Sequence, residues 1–257
     1  MMKDNKSYYT REIAQAVGVH PNTVHLYEKW HFIPPVPRDK NNYRVYSQFH
    51  LEQMRLARIA LPGPYPARTH IVGKLIKTAA TGHLIAALEL SNQYMAIVHA
   101  ERKHAEDAAK QVEKWLQSLH LPNSIQYLNI TGAAKLLNVT TDTLRTWERN
   151  GLINIPRNKN NKYRTYGKQE IETLKGVKML RRAGYSILSI LRMLNQIKKG
   201  TAHPILYLLN TPDPNDDICY ATDRLLSFLA EHEQRAQKIA AQLNHMIVLF
   251  PNAQISD

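Results

Sequence analysis

The chain is poor in the residues that most often announce chemistry. It holds one cysteine, Cys219, in 257 residues, which excludes an internal disulfide framework and any cysteine-rich metal cluster and leaves that thiol as a small buried hydrophobe. Its 10 glycines leave little room for a phosphate-cradling loop, and none is arranged as one. The 12 histidines fall in neither an HExxH pattern nor a paired-ligand spacing, and there is no Ser-His-Asp signature or nucleophile elbow. No metal, no cofactor and no enzymatic activity are expected. No apolar run approaches the roughly 18 residues of a spanning helix, and Met1 to Thr10 lacks the apolar centre of a signal peptide. A soluble, cytoplasmic protein without a membrane partner is expected.

Acid is scarce as well. Against 34 Lys and Arg stand 21 Asp and Glu, a net charge of +13 with a pI near 9.7, which favours a polyanionic partner because each neutralised phosphate releases condensed counterions. The excess is uneven. Residues 125–200 hold 15 cationic against 4 acidic side chains, residues 1–60 hold 9 against 5, and residues 201–257 hold 3 against 7. The nucleic-acid surface is expected mainly in 125–200.

That region contains the stretch Val139 to Tyr166. Thr140, Thr141 and Asp142 can accept hydrogen bonds from a helix's first free N–H groups, Leu144 and Trp147 share a face three residues apart, and Gly151 stands where a helix stop favours a left-handed residue. A polar run from Arg157 to Lys162 follows, then Tyr163-Arg164-Thr165-Tyr166, whose flanking tyrosines suit a strand. A short helix behind a turn and ahead of a basic hairpin is the layout of a winged helix-turn-helix.

The same layout occurs twice. At an offset of 120 residues, Val19 to Tyr46 matches without a gap: Thr23 to Thr143, Glu28 to Glu148, Ile33 to Ile153, Asn41 to Asn161, and Tyr43-Arg44-Val45-Tyr46 to Tyr163-Arg164-Thr165-Tyr166, with Tyr27 opposite Trp147. Such a self-match points to duplication. Upstream, a short helix is expected over Thr10–Val19 with Gly18 as its turn, and again over Ile130–Val139 with Asn138 as the turn. Downstream, the periodicity predicts helical hairpins over Phe49–Ala60 with Arg68–Ala79, around a Pro-rich interruption at 61–66, and over Lys168–Arg182 with Ser186–Ile197. Long helices follow, over about Leu84–Leu119 and about Ile218–Phe250, the first with a stripe through Leu88 and Met95; such stripes need a partner helix. The expected fold is mainly α with small β-wings: a duplicated winged helix-turn-helix, each copy followed by a helical hairpin and a long coiled-coil-type helix. The units are 1–120 and 125–257, joined by a linker at 120–124.

Thr143-Leu144-Arg145-Thr146-Trp147-Glu148-Arg149-Asn150-Gly151-Leu152-Ile153, Tyr163-Arg164-Thr165-Tyr166 and Leu180-Arg181-Arg182-Ala183-Gly184-Tyr185-Ser186 resemble the DNA-binding domain of the MerR family of transcriptional regulators, and the first repeat resembles it too. The resemblance covers nearly the whole chain. It implies a recognition helix in the major groove, a wing on the flanking backbone, and a long helix that forms an antiparallel coiled coil between two heads. It implies also that promoter DNA is bent and untwisted, with RNA polymerase engaged only indirectly. The sequence departs from the family where His25 replaces Arg, where His31, Asn42 and Lys162 replace Gly, and where Trp147 replaces the commoner Tyr. Most members also carry an effector domain or metal-binding cysteines after the long helix, and nothing of that kind is recognisable here; an effector, if any, is an unidentified small molecule.

The expected DNA-contacting set is Thr23, His25, Tyr27, Tyr43, Arg44, Thr143, Arg145, Trp147, Arg149, Lys159, Lys162, Tyr163 and Arg164. Arginines can fork onto phosphate or onto guanine, and Lys159 and Lys162 add affinity without specificity. Arg44 and Arg164 are expected to point away from the aromatic face. Tyr43, Tyr46, Tyr163 and Tyr166 suit either core packing or phosphate contact. Thr23 and Thr143 suit either a cap or a phosphate, Asn22 and Asp142 are expected as caps, and Glu28 and Glu148 are expected to orient a cation within their own helix.

Three functions fit this inventory. The first is a regulator that grips a double-stranded promoter operator with two heads, as an intramolecular pseudo-dimer or as a homodimer through the long helices. The second is an architectural or excisionase-like DNA-binding accessory protein. The third is a ligand sensor with a pocket near Tyr65, Tyr94, Tyr185, Tyr207 and Tyr220.

Overall fold

In a computed structural model, residues 7–61, 70–117, 127–200, 203–211 and 224–253 are described. Cys219, Tyr65, Tyr220, the proline-rich turn and the 120–124 linker lie outside them. Among the described residues the secondary structure is helical, with the remaining pairing confined to isolated antiparallel bridges. The first head contains α1 (Thr10–Ala16), α2 (Pro21–Lys29), α3 (Gln48–Ala60) and α4 (Ile71–Ala80), and is followed by the long α5 (Leu84–Gln117). The second contains α6 (Ile130–Leu137), α7 (Thr141–Arg149), α8 (Lys168–Arg182) and α9 (Ile187–Lys198). After it come a short α10 (Ile205–Asn210), which the periodicity does not predict, and the long α11 (Leu225–Leu249). No helix among the described residues is long and apolar enough to cross a membrane.

The chain divides into two compact units, and they are not the sequence repeats. One is Met1–His99 with Ala230–Asp257; the other is Ala100–Leu229. Each long helix therefore begins in one unit and ends in the other. The reason lies in its buried face. Along α5 the buried positions are Leu84, Ala87, Ser91, Tyr94 and Val98, then Ala105, Ala108 and Val112; along α11 they are Leu229, His232, Ala236, Ile239, Leu243 and Met246. These alternate three and four residues apart, the seam of a helix that packs along its whole length on other helices. Ala87 and Tyr94 occupy the seam, and Leu88 and Met95 beside them are only half-buried.

In the first unit the Tyr94 hydroxyl meets His232 Nδ1 at 2.5 Å. The buried Glu52 of α3 accepts from Gln48, Arg55 and Gln242, the last on α11. In the second unit Glu172 of α8 occupies the equivalent place and accepts from Trp115 Nε1 of α5 at 2.9 Å. Each head is thus tied by a carboxylate to the long helix that began in the other repeat. After α11 the chain closes on the turn before α5, where Gly82 has φ +85° and a Cβ would overlap the Ala253 carbonyl.

Candidate nucleic-acid interface

The second head is built around a helix pair. The Asn129 side chain caps α6 by accepting from Gly132 N, and α6 ends at Asn138 in the left-handed region (φ 49°), while Lys178 Nζ donates to the Leu137 carbonyl. Thr140 then caps α7, its hydroxyl oxygen accepting from Thr143 N at 3.1 Å and contacting the Thr143 hydroxyl at 2.8 Å. Leu144 and Trp147 face the core with Leu137, Leu152 and Tyr166, which leaves Arg145, Arg149 and Asn150 outward. Arg145 is held by Asp142 at 2.7 Å, and Arg149 donates to the Thr146 hydroxyl at 3.2 Å. Two arginines therefore stand one turn apart on the exposed face of α7.

The chain then turns back as a hairpin. Asn158 N donates to the Tyr163 carbonyl and Thr165 N to the Pro156 carbonyl, around a single bridge between Arg157 and Arg164. Tyr166 pairs in turn with Leu128, an edge that sequence periodicity missed because it involves a single residue on each side. Arg164 Nε donates to Glu148 Oε2 at 2.6 Å, locking the hairpin to α7. That bond uses Nε alone and leaves the two terminal amino groups for an outside partner.

The first head repeats this arrangement. Tyr8 pairs with Tyr46, Arg38 bridges Arg44, and Arg44 Nε donates to Glu28 Oε2 at 2.8 Å. The details differ. His20 caps α2, its Nδ1 accepting from Asn22 N. The outward face of α2 offers His25, Leu26, Lys29 and Trp30, with Leu26 41% and Trp30 47% exposed.

The gapless match also hides two compensating shifts. Phe32 and Leu152 keep the 120-residue offset in their bonds to Tyr27 and Trp147, but Pro37 and Arg38 answer to Pro156 and Arg157. The first head thus has one more residue before the hairpin, and the second has one more in its tip. Asp39, not a lysine equivalent, closes the first tip, its Oδ1 accepting from Asn41 N and Tyr43 N at 2.8 and 2.9 Å; Asn158 does so in the second.

Several expectations need correction on this geometry. Tyr27 and Trp147 are each 6% exposed, core positions rather than contacts, because α2 and α7 bury the faces that carry them. Caps fall on His20 and Thr140 instead of Asn22 and Asp142, each two residues earlier in the chain, and Thr140 is one of the three acceptors expected at that helix start. Glu28 and Glu148 hold an arginine of the hairpin and not one of their own helix. The tyrosine ambiguity resolves by spacing: the members of each pair stand three positions apart, so alternation puts them on opposite faces. Tyr46 and Tyr166 are buried and Tyr43 and Tyr163 are exposed; Arg44 and Arg164 share the inward side and are half-buried. Burial pushes the Tyr46 and Tyr166 hydroxyls above their usual 10, so both stay neutral core groups. Exposed or half-buried on the heads remain Thr23, His25, Tyr43 and Arg44, and Thr143, Arg145, Arg149, Lys159, Lys162, Tyr163 and Arg164.

Three of the tyrosines considered for a sensor pocket fall among the described residues. Tyr94 is fully buried in the first unit; Tyr185 is fully buried in the second, where burial pushes its hydroxyl up to about 12; Tyr207 is half exposed. Among the described residues no three His, Cys, Asp or Glu side chains gather as a metal-ligand set.

Residues 128–197 match the family characterised as "MerR HTH family regulatory protein", and residues 10–46 match "MerR family regulatory protein". The chain is 26% identical over 122 residues to the HTH-type transcriptional regulator CueR of Escherichia coli O6:H1, covering 48% of this chain and 80% of that one. It is 34% identical over 67 residues to a probable heavy metal-dependent transcriptional regulator of Haemophilus influenzae, covering 26% of this chain and 52% of that one. No solved structure matches.

Proposed function

Because this chain belongs to the MerR family of regulatory proteins, we propose that it is a sequence-specific double-stranded DNA-binding regulator of transcription that grips one operator with two winged heads. The observation that carries this reading is the repeated ion pair between recognition helix and hairpin, Arg164 with Glu148 and Arg44 with Glu28. It fixes the hairpin on the helix in both repeats, so the two reading elements of a head approach DNA as one body. Arg145, Arg149 and Arg164 supply the charged forks of the second head; Lys159, Lys162 and Tyr163 lie at the hairpin tip for the backbone. His25, Tyr43 and Arg44 are their weaker counterparts in the first. The two repeats, 1–120 and 125–257, stand in for the two subunits of a dimer, and the grip distorts promoter DNA so that RNA polymerase is affected through the DNA.

A footprint on the promoter beside the protein's own reading frame tests this, with light scattering of the complex. The expected result is a protected segment with two half-sites, saturated by one chain per duplex. Two chains per duplex overturns the one-chain grip, and no protection at low salt overturns specific binding altogether.

A further inference from the structure

The two heads carry different chemistry at the same places on their outward helix faces. In the second, Asp142 holds Arg145 at 2.7 Å through Nη1, which leaves the Nε and Nη2 edge of the guanidinium clear of that contact. The Thr146 hydroxyl accepts from Arg149 at 3.2 Å, so this position also serves a cation. The first head is in register here, through Phe32 and Leu152, and has Asn22, His25, Leu26 and Lys29 at those four places, all exposed. An amide and an imidazole thus stand where the second head has its acid and arginine. In place of the threonine is a leucine 41% exposed, and Trp30, one turn on, is 47% exposed. That leucine has no core to enter, because Val24 and Tyr27 fill it from the other face of α2.

We propose that the heads read unlike half-sites, a guanine under Arg145 in the second and A·T pairs under Asn22 and Leu26 in the first, so that the operator is not a palindrome. This rests on the reading of α2 and α7 as the helices that enter the major groove. There the open edge of Arg145 spans O6 and N7 of one guanine, a pair of acceptors that no other base presents side by side. The two ring nitrogens of His25 point away from each other and cannot span them. The Asn22 amide matches the N6 donor and N7 acceptor of adenine. Thymine alone puts a methyl group on the major-groove edge, and Leu26 covers apolar surface by meeting it. Phosphates are alike under every sequence, so Lys29 and Arg149 add affinity to either half-site without choosing it. The leucine shares its face with Lys29 beside a hairpin fixed by Arg44 and Glu28, the same frame that carries Arg145 in the second head, which commits it to DNA and not to a protein.

The full-length protein can select its own duplexes from a randomised pool, and fluorescence anisotropy with altered bases then assigns each contact. Two half-sites of different sequence are expected. Uracil in place of thymine deletes only the methyl group. In the first half-site it should weaken binding by about three- to fivefold, the worth of one methyl removed from water, and Leu26→Ala should erase that loss. Deazaguanine lacking N7, placed in the second half-site, should weaken binding by about fivefold or more, and Arg145→Ala should erase that loss. Asn22→Asp with His25→Arg and Leu26→Thr installs the second head's set and should shift the first half-site toward guanine. All these positions are exposed or half-buried, and thermal melts check that the variants fold. A palindromic selected site, a single half-site, or a uracil loss that persists in Leu26→Ala overturns the unlike reading and leaves the DNA-binding regulator standing. Binding without sequence preference, or no binding at low salt, overturns the regulator itself and this inference with it.

Discussion

The two heads share a skeleton and differ in what they show to solvent. In the second, α7 presents Arg145 and Arg149 and the hairpin tip closes on the neutral Asn158. In the first, the same helix face presents His25, Lys29, Leu26 and Trp30, and the tip closes on the carboxylate of Asp39. The buried parts agree: Ile13 with Ala133, Val24 with Leu144, Tyr46 with Tyr166, and the Arg-to-Glu lock in both. The groups that hold each head together agree between the two, and the groups exposed to solvent differ, so the contrast separates shared core from variable surface within one molecule.

The largest test of that contrast removes the outward charges. Arg145→Ala with Arg149→Ala should weaken binding to the footprinted duplex on the order of a hundredfold and flatten the salt dependence by roughly two counterions, since each lost phosphate contact removes about one. His25→Ala with Lys29→Ala should cost less than about tenfold, because only one full charge is lost there. Fluorescence anisotropy across a salt series reads both. Equal losses would mean that the heads are functionally equivalent.

The heads also start their third helices differently. Ser47 caps α3 and His50 closes the capping box, its Nδ1 accepting from Ser47 N at 3.1 Å while Nε2 faces the Pro35 carbonyl; in the second head Glu170 accepts from Gly167 N. Burial holds the His50 pKa below its ordinary 6.5. The native state therefore binds fewer protons at this site than the unfolded chain, and stability rises with pH through this window. The contribution is complete above about 6.5 and is lost as pH falls toward the depressed native value. The first unit should melt earlier at about pH 5.5 than at about pH 7.5, and His50→Glu should reduce that difference by importing the other head's cap. Melts in which His50→Glu leaves the pH dependence unchanged would assign the acid sensitivity elsewhere.

Asp39 offers a gain instead of a loss. Asp39→Asn keeps the acceptor oxygen that closes the tip and removes a negative charge from the hairpin, so DNA affinity should rise by about two- to fivefold at low salt. An unchanged affinity would place the first hairpin away from the phosphates.

Much of this arrangement was legible in the sequence because it is local. Caps, turn residues and helical stripes lie within a few positions of one another, and α8 runs over Lys168–Arg182 as its periodicity predicts. Trp147 is a core residue although it stands where the resembling family has a tyrosine, because its position three from Leu144 puts it on the buried face of α7. The Asp39 closure was hidden because one residue gained before the hairpin and one lost in its tip leave the overall offset unchanged. Nor does a heptad say which helix fills it: α5 and α11 announced a need for partners, but the exchange of long helices between the two repeats depends on contacts more than a hundred residues apart, such as Glu52 with Gln242. Six residues of α10 are too few for any period to register.

The finest difference concerns backbone strain. His31, Asn42 and Lys162 replace the glycines of the family pattern, and all three have positive φ, at 58°, 66° and 59°. The turns thus hold their left-handed shape without a glycine. A lysine there pays a steric penalty of about 1 kcal/mol that asparagine, with its short polar side chain, partly avoids. Lys162→Gly should therefore stabilise the second hairpin by about 0.5 kcal/mol once the greater freedom of glycine in the unfolded chain is subtracted, and Asn42→Gly should change the first by less. DNA affinity should move the opposite way, because Lys162 also brings a cation to the exposed tip. Chemical denaturation and anisotropy on the same variant separate the two effects. A Lys162→Gly protein that loses stability and keeps its affinity would show that the side chain serves the fold, not the DNA.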